Sequence, residues 1–319
     1  MNKLYDAITD IHDKYIIDAE NAAKKPNVIR WKPIAAAVLA AVLLTIPVSA
    51  ELINGYVRNL LAPLFGNAQT EVVDKIGKPI GASSTADGYT LTADAVIGDQ
   101  YNVAIVYTLS RDDGLPIPEG TCFDQLNTDI ISGASGGGSL TFVKDKANPE
   151  KMHIIENWSR KSPVIGRYVT AYFSKLAIHN KNGEDIPIAE GPWEVSYTLR
   201  YEDTSIDIPV DNLHVMDSSG DNYQIYGILI SNVGLHLDGV LLNPEWVQEP
   251  PFKDFEVSLK MKDETIIPLK DHNSGGNYAE KDKTADYYFN AFFEIPIDLN
   301  EVESLIICDN EYPLQLDAQ

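Results

Sequence analysis

The fold is decided by Tyr89-Thr-Leu-Thr-Ala-Asp-Ala-Val-Ile97 and Tyr101-Asn-Val-Ala-Ile-Val-Tyr-Thr-Leu109, two runs that flank Gly98-Asp99-Gln100. Both runs are rich in β-branched and aromatic residues, which favour the pleated surface of a strand. The three residues between them are turn formers. The pattern therefore predicts an antiparallel hairpin.

Short segments of the same kind recur on both sides of this hairpin, and Asn, Asp and Gly turns separate them. They are Ser139–Val143, Val169–Leu176, Trp193–Tyr201, Ile206–Val215, Tyr223–Ser231, Gly234–Leu237, Phe255–Leu259, Tyr287–Phe293 and Ser304–Ile307. Many short strands predict antiparallel β-sandwiches. One sandwich needs about 100 residues, so the pattern predicts two of them, 79–205 and 206–319, which meet near Asp203–Asp207.

Ahead of the β-rich body lies an apolar run, Ile34 to Ala50, with no charge between Lys32 and Glu51. A membrane-spanning helix needs about 20 apolar residues, with a lower limit near 17, so 33–50 is predicted to cross the bilayer once. Five flanking residues support this interpretation: Lys24, Lys25, Arg30, Trp31 and Lys32. Because positive charges remain inside, the N-terminus is expected in the cytoplasm and the body outside the cell.

A cleaved signal peptide is the main alternative, because Val48-Ser49-Ala50 provides a small-residue cleavage site. The segment ahead of the apolar run is long and carries five acidic residues, whereas export leaders are short and basic. A buried core helix is a third interpretation, but nothing downstream resembles the α/β framework that would enclose it. We therefore expect a membrane anchor.

Residues 1–32 form a small head in which Leu4, Ile8, Ile11 and Tyr15 recur at helical spacing. A helix this short is marginal by itself in water. Its apolar stripe therefore predicts a partner: another protein, the inner membrane face or a second copy. The simpler interpretation is a frayed tail in which the period arises by chance.

Residues 51–78 continue with a second helical pattern that ends at Phe65-Gly66. Its apolar positions are Leu52, Ile53, Tyr56, Val57, Leu60, Leu61 and Leu64. Three arrangements fit this pattern: a helix that continues out of the membrane, a helix that lies on the membrane surface, and a lid that packs on the following domain.

The net negative charge of the chain is carried by the β-rich body, residues 51–319. The chain has 25 basic and 47 acidic residues. Residues 1–50 contain 6 of the basic and 5 of the acidic residues, so residues 51–319 contain 19 basic and 42 acidic residues and have a net charge of −23. Nucleic-acid binding needs clustered Lys and Arg, so this balance argues against a nucleic-acid partner. A well-solvated surface is the simplest interpretation.

The two cysteines, Cys122 and Cys308, lie far apart and could form a disulfide outside the cell. Two unpaired, half-buried thiols are the favoured interpretation. Neither cysteine has a Cys or His neighbour in sequence, so no zinc site or other metal site is predicted.

The remaining motifs predict structure rather than chemistry. Gly133-Ala-Ser-Gly-Gly137 matches G-x-S-x-G, but a nucleophile elbow needs a helix after the serine, and strand-like residues follow here. Asp217 to Asn222 is expected to be a hairpin turn rather than a calcium loop. His214 and His236 lie in apolar strand patterns and are expected to be structural. No catalytic residue and no cofactor is predicted, and we expect no enzyme.

Four segments together resemble a family of single-pass membrane proteins from clostridial-type Gram-positive bacteria. They are Ile8–Glu20, Ile76–Val103, Gly191–Tyr197 and Tyr226–Leu237. Family members carry an immunoglobulin-like ectodomain of unknown function, often with a second one behind it. Many are encoded beside extracytoplasmic-function sigma factors and are regarded as anti-sigma factors.

The resemblance implies a mainly β fold with two tandem immunoglobulin-like sandwiches, behind a short cytoplasmic helix, a transmembrane helix and a juxtamembrane helix. It also implies that the head stripe binds an extracytoplasmic-function sigma factor while the ectodomain senses an envelope signal. The head lacks the Cys/His zinc pattern of better-known anti-sigma domains. The rival function is a tethered module that binds a wall polymer, peptide or protein at the cell surface; its ligand is not specified by the sequence.

Overall fold

The computed structural model describes residues 55–66, 71–130, 136–179, 185–211, 213–242, 255–269, 278–279 and 284–314. Within these ranges the chain is mainly β, and its strands form four antiparallel sheets. In the described residues two short helices precede the strands, α1 (Tyr56–Phe65) and α2 (Glu71–Ile76), and one 3₁₀ turn spans Leu299–Glu301. The coarse prediction of a mainly β, antiparallel protein is confirmed.

The first pair of sheets is built from nine strands of the described chain. They are β1 (Lys78–Ala86), β2 (Tyr89–Gly98), β3 (Asn102–Arg111), β4 (Thr121–Ile130), β5 (Gly136–Lys144), β6 (Lys151–Arg160), β7 (Tyr168–His179), β8 (Asp185–Ala189) and β9 (Trp193–Thr198). One sheet has the order β1-β2-β3-β6-β5, and the other has the order β4-β7-β8 with β9 also paired to β7.

The second pair contains the remaining described strands. They are β10 (Ile206–Ile208), β11 (Leu213–Met216), β12 (Asn222–Ile230), β13 (Gly234–Leu242), β14 (Val257–Met261), β15 (Ile266–Leu269), β16 (Tyr278–Ala279), β17 (Thr284–Phe292), β18 (Val302–Ile307) and β19 (Asn310–Pro313). One sheet runs β10-β12-β13-β17-β16 with β11 on β12, and the other runs β15-β14-β18-β19.

Each pair of sheets encloses its own hydrophobic core. The first core joins β2, β3 and β6 to β4, β7 and β9, and Tyr107, Phe173 and Trp193 are fully buried in it. Trp193 also donates from Nε1 to the carbonyl of Tyr89 at 2.9 Å, which satisfies its polar atom inside the core. The second core contains Tyr223, Phe255 and Tyr287 in mutual ring contact.

The predicted hairpin is confirmed, because β2 and β3 pair antiparallel across the turn. The predicted single strand Ile206–Val215 is wrong. It is divided into β10 and β11, which pair with different parts of β12. Pro209 follows β10 directly, and it has no N–H to donate to a neighbouring strand.

The helix α1 packs on the body. Its Val57, Leu61 and Phe65 are buried in a third apolar cluster. The first sheet pair contributes Ala95, Ile97, Ala104 and Val106 to this cluster, and the second contributes Val233 and Phe292. Of the three arrangements expected from the sequence, packing on the following domain is the one observed.

Asp74 of α2 fixes the start of α1. Its carboxylate accepts the backbone N–H of Gly55 at 3.1 Å and of Arg58 at 3.0 Å, and it pairs with the Arg58 side chain. These N–H groups belong to the first turn, where a helix has no partners of its own. A carboxylate at this end is also favoured by the helix dipole.

No helix within the described ranges combines the length and apolar character that crossing a bilayer requires. The predicted head 1–32 and the predicted span 33–50 lie outside the described residues.

Replacing Leu61 by Ala tests the packing of α1. Leu61 is fully buried, so the lost contacts and the remaining cavity should lower the free energy of unfolding by about 2–5 kcal/mol. Asn59→Ala on the exposed side of the same helix is the matched control and should change it by no more than about 0.5 kcal/mol. Urea unfolding of the full-length chain measures both; equal, small effects would show that α1 does not pack as described.

Candidate functional site

Asp99 lies in the turn between β2 and β3 and is fully buried. Its Oδ1 accepts the backbone N–H groups of Tyr101 at 2.9 Å and Asn102 at 2.7 Å. Its Oδ2 accepts the hydroxyl of Ser231, which belongs to the second pair of sheets, at 2.8 Å. One carboxylate therefore joins the two pairs.

The surroundings of Asp99 complete this junction. Tyr201, which follows β9, donates its hydroxyl to the Asp99 carbonyl at 2.7 Å. Ser231 Oγ in turn accepts the backbone N–H of Gly234 at 2.9 Å. A Cβ on Gly234 would lie 2.6 Å from Asp99 Oδ2 and 2.8 Å from the carbonyl of Ala291, so only glycine allows this close approach.

A second polar contact lies beside the first. The ring of Tyr101 stacks on the ring of His236 with centroids 3.6 Å apart. His236 is buried, and its nitrogens lie 2.6 Å from Asn290 Oδ1 and 2.9 Å from Asp238 Oδ2. The prediction that His236 is structural is therefore confirmed. His214 is different, because it is exposed on β11.

Burial raises the pKa of Asp99, and the hydrogen bonds from Asn102, Tyr101 and Ser231 act against this rise. A buried carboxylate is costly unless its oxygens are satisfied. Here both oxygens are satisfied by donors from both pairs of sheets, which oppose the rise of the pKa.

A polar pocket of the first pair lies between β4, β5 and β6 and has a volume of about 230 Å³. Its lining includes Leu126, Thr128, Gly138, Ser139, Leu140, Glu156, Asn157, Trp158 and Arg160. Glu156 is buried there, and it accepts the hydroxyls of Tyr107 at 2.8 Å and Thr128 at 2.5 Å.

The electrostatics of this pocket are set by burial. Burial raises the pKa of Glu156, and the bonds from Thr128 and Tyr107 oppose the shift. Burial also raises the pKa of Tyr107 and of Tyr197, whose hydroxyls lie 2.6 Å apart. The group is therefore a buried carboxyl supported by neutral phenols.

Two buried polar atoms beside this pocket lack a hydrogen-bond partner within the described chain: Asn157 Oδ1 and Trp158 Nε1. Such groups are rare in folded proteins because each costs free energy. Asn157 and Trp158 are successive residues of β6, so their side chains lie on opposite faces of the strand. Trp158 belongs to the first core, on the same face as Glu156, and its Nε1 donor suits an accepting oxygen of a ligand.

One cluster has residue types found in catalytic relays. Thr108 Oγ1 lies 3.0 Å from His153 Nδ1, and His153 Nε2 lies 3.6 Å from Asp145. Thr108, however, donates its proton to Asp94 at 2.5 Å. The hydroxyl is thus not activated by the histidine, as a nucleophile would need to be.

The residues singled out in the sequence analysis differ from those of the Asp99 junction and the Glu156 pocket. The head stripe (Leu4, Ile8, Ile11, Tyr15) and the flank (Lys24, Lys25, Arg30, Trp31, Lys32) lie outside the described residues. Cys122 and Cys308 are unpaired and partly buried, so the disulfide considered from the sequence is not formed. Asp217–Asp221 form the turn between β11 and β12, which begins at Asn222, and Asp217 accepts the N–H groups of Ser219 and Asp221.

Sequence reasoning missed the Asp99 junction and the Glu156 pocket. Asp99 was assigned only as a turn residue, and Glu156 lies in a segment that was not assigned as a strand. A third group was also missed: Cys122, Asp124 and His179 bring three potential metal donors within 4.8 Å of one another.

Removing the Asp99 carboxylate tests the junction. Asp99→Ala leaves two buried backbone N–H groups without an acceptor, so unfolding free energy should fall by about 2–4 kcal/mol. Ser231→Ala should cost about 1 kcal/mol. Because the two side chains touch, the double variant should deviate from additivity by about 0.5–3 kcal/mol in urea unfolding. Strict additivity would show that the two side chains do not interact.

Glu156→Gln tests the buried carboxyl by its pH dependence. A pKa raised in the folded state favours the protonated form, so this contribution is present at low pH and is lost as pH rises through the raised pKa. The wild type should lose stability relative to Glu156→Gln over that window, by up to about 1.4 kcal/mol per pH unit. Thermal unfolding from pH 4 to pH 8 measures the difference; a constant difference would contradict a raised pKa.

Comparison with known proteins gives one fold-level similarity. No protein-family model and no curated protein matches the chain. The crystal structure of a conserved domain protein from Bacillus anthracis is similar, with a TM-score of 0.52 and 15% sequence identity. The match covers 76% of this chain and 79% of that chain. At this identity the likeness concerns the fold alone: a β-rich architecture shared with a conserved domain protein.

Proposed function

We propose that this chain is a membrane-anchored regulator that resembles an anti-sigma factor. In this proposal its head binds an extracytoplasmic-function sigma factor through Leu4, Ile8, Ile11 and Tyr15, residues 33–50 cross the bilayer, and two tandem immunoglobulin-like sandwiches, 79–205 and 206–319, sense an envelope signal outside the cell.

The observation that carries the proposal is the position of α1. This helix follows the apolar run Ile34–Ala50 closely in sequence, and its buried face contacts both pairs of sheets. The linker between the pairs of sheets also contacts the end of α2, because the backbone N–H of Glu202 donates to the carbonyl of Ile76 at 3.0 Å. A ligand that changes the junction would therefore act directly on the segment that leaves the body toward the predicted span.

The charge of the chain agrees with this arrangement. The body carries a net charge of −23, so it is unsuited to contact an anionic bilayer or nucleic acid. Its acidic surface would keep it soluble outside the cell while the short head acts inside.

The Glu156 pocket favours a second function, a tethered binding module of the cell surface. Its unpartnered Trp158 Nε1 would donate a hydrogen bond to an oxygen of a wall polymer or peptide. In that case the head would serve only as an anchor.

The double substitution Ile8→Asp/Ile11→Asp in the full-length chain distinguishes the two functions. Charges on the stripe should prevent docking, so sigma-dependent transcription in the native host should rise toward that of a deletion strain. Asp10→Asn/Asp13→Asn, off the stripe, is the matched control and should leave transcription unchanged. Membrane fractions must contain equal amounts of each variant.

Unchanged transcription in Ile8→Asp/Ile11→Asp would refute the regulator. Co-sedimentation of the wild type with isolated cell walls, weakened by Trp158→Phe, would then support the binding module.

A further inference from the structure

Four side chains from three strands meet on the outer face of the sheet β4-β7-β8. Cys122 lies opposite Ala177, and His179 lies opposite Asp185. Residues two apart on a strand share a face, which places Asp124 with Cys122. Phe123 and Leu176, on the other face, belong to the first core. The group therefore faces away from the core at one end of the sheet.

The donor atoms of this group are close together. One ligand atom from each of Cys122, Asp124 and His179 lies within 4.8 Å of the others. His179 Nε2 lies 3.1 Å from Asp124 Oδ1. The other ring nitrogen, Nδ1, contacts the carboxylate of Asp185. Both nitrogens of the imidazole are thereby oriented by groups on neighbouring strands.

This pattern matches a recurring arrangement at metal centres. A metal-bound histidine usually donates its second N–H to a carboxylate, which fixes the tautomer and the ring orientation. Asp185 holds that position, and Nε2 is left facing Asp124 and the thiol. Thiolate, imidazole and carboxylate are ligands of Zn²⁺, whereas Ca²⁺ and Mg²⁺ prefer oxygen alone.

We propose that Cys122, Asp124 and His179 bind a divalent transition-metal ion of the zinc type, with Asp185 as the positioning carboxylate of His179. Three protein ligands leave the fourth tetrahedral position to water. Zinc–ligand distances are about 2.0–2.3 Å, so the donors must draw together slightly. His179 and Asp124 have exposed side-chain area that allows this movement.

The ion would change the protonation of the site. Burial, followed by the charges of Asp124 and Asp185, raises the pKa of Cys122. Without an ion the thiol is therefore protonated at neutral pH and cannot act as a thiolate ligand. A bound dication reverses this balance, because a coordinating thiol is deprotonated. Binding should release protons and weaken as pH falls.

The simpler alternative is a histidine held between two carboxylates, with a thiol that takes no part. It uses the same contacts but predicts no ligation by sulfur. The two interpretations therefore differ in one observable, a metal–thiolate bond.

Cobalt(II) titration of the reduced full-length chain tests the proposal, because a cobalt–thiolate bond gives a near-ultraviolet charge-transfer band and a tetrahedral site gives intense visible bands. We expect both, and equimolar Zn²⁺ should remove them. Cys122→Ser should abolish the charge-transfer band, and Asp185→Asn should weaken affinity about 10–100-fold.

Cys308→Ser is the matched control, since Cys308 is the other partly buried thiol, and it should keep the full spectrum. Unchanged thermal unfolding of each apo variant excludes misfolding, and the outward position of the site predicts this result. Absence of the band in the wild type, its persistence in Cys122→Ser, or its loss in Cys308→Ser would overturn the proposal. None of these measurements depends on whether the head binds a sigma factor.

Discussion

The bond between the Asp99 carboxylate and the Ser231 hydroxyl is the interaction on which the rest of the described structure depends. Each pair of sheets encloses its own core. A buried carboxylate joins them, because Oδ1 accepts from Tyr101 and Asn102 of the first pair and Oδ2 accepts the hydroxyl of Ser231 of the second. Losing the partner would leave a buried polar group without a hydrogen bond, which is more costly than losing a surface contact.

This polar junction is surrounded by apolar contacts that exclude water. Asp99 and Ser231 are fully buried, and Ile97 and Val233 of the apolar cluster around α1 lie two residues from them in sequence. Exclusion of water strengthens the hydrogen bonds inside. A few polar atoms thus make the docking of the two pairs of sheets specific. Most of the buried apolar area comes from helix and sheet surfaces that would tolerate other apolar residues.

The amino-acid sequence is sufficient to predict an element when the residues that specify it are close together in the chain. The hairpin 89–109 was predicted because apolar residues and a turn follow each other directly. The strands β4 and β6 were missed because they carry polar residues such as Gln125 and, facing the interior, Glu156, which interrupts the apolar pattern. The period of a strand indicates burial only when the buried residues are apolar.

The candidate sites were not predictable for a different reason. Cys122 and His179 become neighbours only through the register of β4 on β7, and Asp99 meets Ser231 only through docking of the two pairs. Single-sequence patterns contain neither register nor docking. The turn at Asp217 was predicted correctly because its hydrogen bonds run to residues two and four positions away.

The position of α1 also sets an order of events during synthesis. Chains emerge from the N-terminus, so Val57, Leu61 and Phe65 leave the ribosome long before Val233 and Phe292 can cover them. Until then part of this apolar surface stays open to solvent, a state that invites aggregation. Val233, before β13, and Phe292, in β17, complete the burial of this surface last.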